Sequence, residues 1–141
     1  MRTQNLSWAG PAGAIVSTPH DLALWIRALF EGRVVPEREL DEMKKLVSQK
    51  TGLPIDAATP EDRRAFGLAL GRFDMKDLGG FWFYEGETMG FRAIFAYWPQ
   101  HDLLITAAAN SRPPHGEDRL GPALVNGAFA VLSEAHLIDA R

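Results

Sequence analysis

Cysteine is absent from this chain of 141 residues, which removes disulfides, thiol nucleophiles and thiolate metal ligands together. Cysteine-free proteins occur in every compartment, so the redox environment stays open. Charge is scarce as well: charged side chains make up 23% of the residues and leave a formal net charge of -3. Lys and Arg are scattered rather than clustered. There is thus no basic field for phosphates or anionic lipid, and neither a nucleic acid nor a membrane surface is expected as a partner. No apolar run is long enough to span a bilayer. The segment Met1 to Trp8 has one positive side chain with no apolar run behind it and does not read as a secretory signal, so localisation stays unassigned. Against these absences stands an apolar fraction of 46%, the composition of one globular domain over residues 1–141 with a single core.

Residues 1–64 read as mainly helix and loop. The first 14, rich in Gly, Ala and Pro, follow neither a helical nor a strand period and predict an extended entry segment. Thr18 then suits a helix cap, Pro19 the first turn, and Asp21 sits near the position where a capping box has its acid. The stripe Leu22, Trp25, Ile26 and Leu29 has helical spacing, and Gly32 closes the element. A second helix is predicted from Pro36 through Glu39, Leu40, Met43 and Val47, with acids early and Lys44, Lys45 and Lys50 late, as the helix dipole prefers. Residues 51–64, with Gly52, Pro54 and Pro60, read as a long mobile loop.

Residues 65–141 read as antiparallel strands and a closing helix. Phe66, Leu68 and Leu70 alternate with Gly67, Ala69 and Gly71, predicting one strand with closely approached backbone on one face. The aromatic run Phe81-Trp82-Phe83-Tyr84 follows, then a glycine-punctuated bend over Tyr84 to Phe91. Phe91 to Trp98 and Leu103 to Ala109 form two strands whose connection is so short that they must be antiparallel. The last strand is apolar or small on both sides and is expected to be covered on both. After a polar loop from Ser111 to Asp118, the stripe Leu120, Leu124, Gly127, Ala128, Val131 and Leu132 gives a C-terminal helix able to cover one sheet face.

Chemistry-bearing residues are few. None of His20, His101, His115 and His136 lies at ligand spacing from another, so no metal or other cofactor is expected. Glu85 and Glu87 would share one side of a continuing strand, either as solvated turn acids or as an acid pair. Gly86, two residues beyond Tyr84, lets a ligand approach the backbone, and the next N–H, that of Glu87, is able to donate to a developing oxyanion. The competing reading is a β-bulge or tight turn that needs glycine for its torsions.

The run from Trp8 to Trp25 resembles the "aGGl.sTa.DlarW" segment of the serine β-lactamase-related family, which includes class C β-lactamases, D-alanyl-D-alanine carboxypeptidases and related esterases. Phe66-Gly67-Leu68-Ala69-Leu70-Gly71 looks like its "yGlGw" strand. Tyr84-Glu85-Gly86-Glu87-Thr88-Met89-Gly90-Phe91 is similar to its "H-x-G-x-x-x-G-F", and Tyr97-Trp98-Pro99 through Asp102 and Asn110 to its hairpin. These matches follow one another in order across nearly the whole chain.

The resemblance implies the C-terminal portion of an α+β fold of the β-lactamase/transpeptidase type, an antiparallel sheet with N-terminal helices and a C-terminal helix packed on it. The family uses a Ser-x-x-Lys, a Tyr-x-Asn loop and a Lys- or His-x-Gly strand. Only the strand has a counterpart here: no serine is followed by lysine three places on, and neither Tyr84 nor Tyr97 by asparagine two places on. By position the catalytic candidates are Tyr84, where the family has Lys or His, Gly86, and the Glu87 backbone N–H; Thr88 and Gly90 are substrate-binding candidates. Tyr84 brings no positive charge to recognise a substrate carboxylate.

The implied activity is acyl-enzyme hydrolysis of a small-molecule or peptide-like amide or ester once completed, with the isolated chain inactive. The alternative is a non-catalytic binding or assembly module. The strand at 102–109 would pair with an N-terminal strand beyond this chain, so a homo-oligomer or a complementing N-terminal segment is expected.

Overall fold

In a computed structural model, which describes residues 6–59, 61–75, 79–88, 90–110 and 120–136, the helix signalled at Thr18 forms as α1, Pro19–Phe30. The Thr18 hydroxyl accepts from the Asp21 N–H at 3.1 Å and donates to the Asp21 carboxylate at 2.9 Å. At the other end the Arg33 N–H reaches the Ala28 carbonyl at 2.9 Å while Gly32 takes a φ of 71°, the left-handed exit that glycine permits. Ile26 and Leu29 are buried with Leu22 packed beside them. Trp25, predicted in the same stripe, is instead half exposed. Over its described part the entry segment is not extended: Leu6–Ala12 makes tight 3-10 turns with a kink at Gly10, and residues 1–5 lie outside the described residues.

The second helix, α2 at Glu37–Lys44, is shorter than its pattern. Lys45 turns extended, and the Met43 carbonyl takes the Leu68 N–H at 2.9 Å, so Val47 and Lys50 leave the helix. Leu46–Ser48 becomes β1. Ser48 helps to end the helical run, because its buried hydroxyl donates to Asp62 and accepts from the N–H groups of Lys50 and Thr51, fixing a turn that competes with helix.

The remaining strands are β2 (Pro54–Ile55), β3 (Arg64–Phe66), β4 (Gly71–Met75), β5 (Gly79–Thr88), β6 (Phe91–Trp98) and β7 (Leu103–Ala109). The predicted 51–64 loop therefore contains β2 and the first residue of β3. The single strand expected from Ala65 is two, folded back through residues 67–70, where Ala69 has a φ of 57°. Close approach does explain two of its glycines: a Cβ at Gly67 would lie 2.0 Å from the Met43 carbonyl oxygen, and one at Gly71 would lie 2.6 Å from the Phe83 ring. All seven strands join one antiparallel sheet in the order β2-β1-β3-β4-β5-β6-β7. The β6–β7 hairpin forms as the sequence indicates.

The C-terminal helix is α3, Leu120–Glu134. Its buried residues are Gly121, Val125 and Phe129; of the predicted stripe, Ala128 and Leu132 are half-buried and Gly127 and Val131 exposed. Aromatic packing draws Phe129 inward. Phe129 meets the fully buried Trp98 at 5.9 Å between ring centroids, and Trp98 stacks on Phe81 at 4.4 Å.

Alternation then assigns two cores to the two sheet faces. On one, Phe81, Phe83, Ala96 and Trp98 pack with Val125 under α3. On the other, Phe95 and Leu70 pack with Ile26, Leu29 and Leu40 under α1 and α2. β7 has a helix against each face, with Leu103 and Ile105 beside the α3 core and Leu104 beside the α1 core. Arg27 on α1 bonds Asp102 in the β6–β7 turn at 2.6 Å, and the Thr106 hydroxyl donates to the Pro19 carbonyl at 2.8 Å, so the start of α1 is pinned over β7. The molecule is an α+β fold with an antiparallel sheet flanked by N-terminal and C-terminal helices.

Candidate active site on strand β5

The bend expected from Tyr84 does not occur there: β5 continues to Thr88, which pairs with Phe91 at the start of β6. Its pairing with β6 keeps one register from Trp82↔Tyr97 to Thr88↔Phe91 without a bulge. On the other side, pairing with β4 runs only from Met75↔Gly79 to Gly71↔Phe83. β4 thus stops where the candidate residues begin.

Hydrogen-bond alternation fixes which backbone groups face the side that β4 vacates. The Gly67 N–H bonds the Leu70 carbonyl at 2.8 Å and the Asp74 N–H bonds the Arg63 carbonyl at 3.0 Å. In an antiparallel ladder such pairs alternate, so Arg72 and Asp74 turn their backbone groups toward β3, while Gly71 and Phe73 turn theirs toward β5. Carried across Gly71↔Phe83, the alternation points the N–H groups of Phe83, Glu85 and Glu87 toward the β4 side. Those of Tyr84, Gly86 and Thr88 point toward β6. The Glu87 N–H therefore looks across the end of β4.

The side chains divide just as sharply. Glu85 and Glu87 lie on the α3 face, where Arg92, directly opposite Glu87, bonds the Glu85 carboxylate and lies 3.6 Å from that of Glu87. Arg92 is buried, and two flanking carboxylates offset the desolvation of its charge. Gly121 at the start of α3 lets this cluster close up, since a Cβ there would sit 3.2 Å from a Glu85 oxygen. A gap of about 10 Å³ remains between Glu85, Arg92, Ile94 and Gly121, too small for a substrate. The two acids lie on a strand rather than in a turn, Glu87 exposed and Glu85 half-buried, and both are ion partners of Arg92. Sequence reasoning misses Arg92, whose signal is a lone arginine directly across from the acids once the register is known.

The opposite face carries Tyr84, Gly86 and Thr88. Tyr84 is 46% exposed. A Cβ built on Gly86 meets nothing within 4 Å, and Gly86 is not among the positive-φ glycines, so neither torsion, bulge nor packing among the described residues requires glycine there. Gly90 differs: its φ of 87° lies in the left-handed region that glycine favours. The Thr88 hydroxyl is buried without a hydrogen-bond partner among the described residues.

Beyond this strand, His20, His101 and His136 are exposed and far apart in the chain, and His115 lies outside the described residues, as do Met89 and the 111–118 loop. Among the described residues no three His, Asp or Glu side chains gather as a metal site, and no helix is long and apolar enough to cross a membrane. Arg72, the cation nearest along the sheet, stacks 5.1 Å over Trp82 and lies against Gly80, away from Tyr84. Burial lowers its pKa.

A family model described as Beta-lactamase matches residues 2–128. Among solved structures, a D-stereospecific amidohydrolase from Streptomyces sp. is 27% identical with a TM-score of 0.63, covering 77% of this chain and 30% of that one. The D-amino acid amidase of Ochrobactrum anthropi SV3, solved with L-phenylalanine amide, is 24% identical with a TM-score of 0.65, covering 91% of this chain and 35% of that one. The chain thus spans about a third of the length of these structures. A search of the curated proteins finds no match.

Proposed function

The chain belongs to the beta-lactamase family, and from that premise we propose that it forms the sheet side of a serine hydrolase site whose nucleophile comes from polypeptide outside this sequence. In this reading Gly86 is the surface that a substrate backbone approaches, and the Glu87 N–H is one donor of an oxyanion hole. The other donor and the Ser-x-x-Lys and Tyr-x-Asn groups belong to the complementing polypeptide. Tyr84 borders the reacting group, Thr88 extends the same face, and Gly90 sets the turn behind it. The chain is the C-terminal portion of a class C, DD-peptidase, esterase or amidase type of catalytic domain, acting on an amide or ester through an acyl-enzyme. The amidase and amidohydrolase activities of the two similar structures support amides as the first substrates to try.

One observation carries this reading. Gly86 is a glycine that the fold does not need, beside an N–H aimed past the end of β4. β7 supplies the means of completion: it ends the sheet with β6 as its strand partner among the described residues, and such an edge recruits another strand, from a second copy or an N-terminal segment. A non-catalytic binding or assembly role is the second reading, favoured by Tyr84 in place of the family's cation.

The test is reconstitution. The purified chain is incubated with a chromogenic β-lactam, a p-nitrophenyl ester, an amino acid amide and a fluorophosphonate probe, alone and with a polypeptide bearing the Ser-x-x-Lys and Tyr-x-Asn segments. Turnover only in the mixture is expected. Stoichiometric labelling of Ser17 or another serine in the chain alone would overturn the assignment, and binding to the strand without turnover in the mixture would favour the second reading.

A further inference from the structure

Gly86 is the least restrained residue in the second half of β5. Glycine has the widest backbone freedom of any residue, a Cβ at Gly86 would meet nothing within 4 Å, and pairing with β4 has already ended at Gly71↔Phe83. The peptide that joins Gly86 to Glu87 carries the Glu87 N–H. A donor that serves an oxyanion acts by being held in place before the charge develops, so its aim depends on what restrains that peptide.

The residues on either side of Gly86 are tied together from across the hairpin. Arg92 stands directly opposite Glu87 in the β5–β6 register; its guanidinium donates to the Glu85 carboxylate, and its Nε lies 3.6 Å from the Glu87 carboxylate. One planar group therefore bridges positions 85 and 87. Guanidinium donors form a rigid fork, so less freedom is lost per contact than with a lysine. The bridge is also roofed: Arg92 is 6% exposed, and the first turn of α3 presses on it, since a Cβ on Gly121 would lie 2.7 Å from Ile94 and 3.2 Å from a Glu85 oxygen. Exclusion of water strengthens such contacts. Because side chains alternate along a strand, the bridge lies behind β5 and leaves the Tyr84 and Gly86 surface open.

Resting on the hydrolase reading above, we propose that Arg92 is a positioning residue for that reaction: by bridging Glu85 and Glu87 it fixes the peptide between Gly86 and Glu87, and with it the aim of the Glu87 N–H. Arg92 itself touches no reacting atom. Its influence falls on the transition state rather than on substrate binding, because an oxyanion donor contributes most as the negative charge develops. Small displacements of such a group are enough to slow a reaction.

The test compares the natural 141-residue chain with two variants. Arg92→Lys keeps the charge without the fork, and Arg92→Met combined with Glu85→Gln and Glu87→Gln removes the bridge without leaving a carboxylate stripped of its partner. Amide hydrogen exchange is followed by NMR at Gly86 and Ala93, paired across β5 and β6, and at Ala96 and Trp98, whose N–H groups alternate toward β7. Turnover of p-nitrophenyl acetate is measured in the mixture with the polypeptide bearing the Ser-x-x-Lys and Tyr-x-Asn segments. In both variants exchange at Gly86 and Ala93 is expected to rise at least about tenfold more than at Ala96 and Trp98, as a local opening does. In both, kcat is expected to fall at least about tenfold with KM little changed, the pattern of an interaction made in the transition state. The triple variant separates positioning from stability, since the stability returns and the bridge does not. An equal change at all four amides, or natural kcat in either variant, would overturn the positioning role and leave the hydrolase reading standing. No turnover by the natural chain in the mixture would remove both.

Discussion

From Gly79 to Phe83, β5 pairs with β4, joined on its other side by β6 from Trp82, and sends Phe81 and Phe83 into the core under α3. From Tyr84 to Thr88 the same strand continues along β6 after β4 has ended, and it shows Tyr84 and Gly86 to the outside. The backbone geometry is common to both halves, so the difference lies in what surrounds each. The first half is determined by packing: the Gly71 position would place a Cβ inside the Phe83 ring's contact distance, and Arg64 covers that ring at 5.3 Å. The second half has residues that packing leaves unexplained. A strand whose pairing stops on one side exposes backbone groups of known direction, which suits recognition of an extended ligand.

The contrast is most easily broken in the first half. Phe83→Ala removes a buried ring that meets Phe66, Phe73 and Phe81, and large-to-small changes of this kind lose about 3–5 kcal/mol. Urea denaturation of the variant should show most of that loss. If Phe83→Ala were no worse than Tyr84→Ala, for which the exposed position predicts a change within about 0.5 kcal/mol, the two halves would not differ in the way described.

A smaller effect is expected where the halves meet. Arg92→Met keeps the volume on the α3 face but strips the cation from Glu85 and Glu87, and breaking a buried pair loses about 3 kcal/mol. The low end of the range applies because the two carboxylate side chains retain 27% and 29% exposure. Adding Glu85→Gln and Glu87→Gln should restore much of the stability, since the penalty comes from charge left without its partner rather than from lost shape. A triple variant as unstable as Arg92→Met alone would show instead that Arg92 acts through packing.

Elements governed by local chemistry were legible in the sequence. The Thr18 cap, the Gly32 exit and the β6–β7 hairpin each depend on a few neighbouring residues, and all three form as read. Elements decided by distant partners were not. α2 stops at Lys44 because Leu68 takes the Met43 carbonyl, and α3 buries Phe129, absent from the predicted stripe, because it finds Trp98. The site divides in the same way. Tyr84, Gly86 and Glu87 were marked by the family's glycine pattern, but the bend assigned to them was a strand, because glycine at 86 reads like a turn signal when its neighbours in space are unknown. Arg92 was invisible for a related reason: its tie to Glu85 exists only through the β5–β6 register.

Gly86→Ala should change stability least and function most. Its backbone is in an ordinary region and a Cβ there meets nothing within 4 Å, so alanine is accommodated without strain. By restricting the unfolded chain it should raise stability by about 0.5 kcal/mol. The added methyl nonetheless projects from the exposed face onto the surface that a ligand backbone would approach, beside the Glu87 N–H. Affinity for an amino acid amide, and turnover in the reconstituted mixture, should therefore fall by at least about tenfold, the equivalent of one lost contact. Stability and binding moving in opposite directions is the signature of a glycine kept for a ligand. A loss of stability greater than about 1 kcal/mol, with binding unchanged, would return Gly86 to the fold and leave the second half of β5 no different in kind from the first.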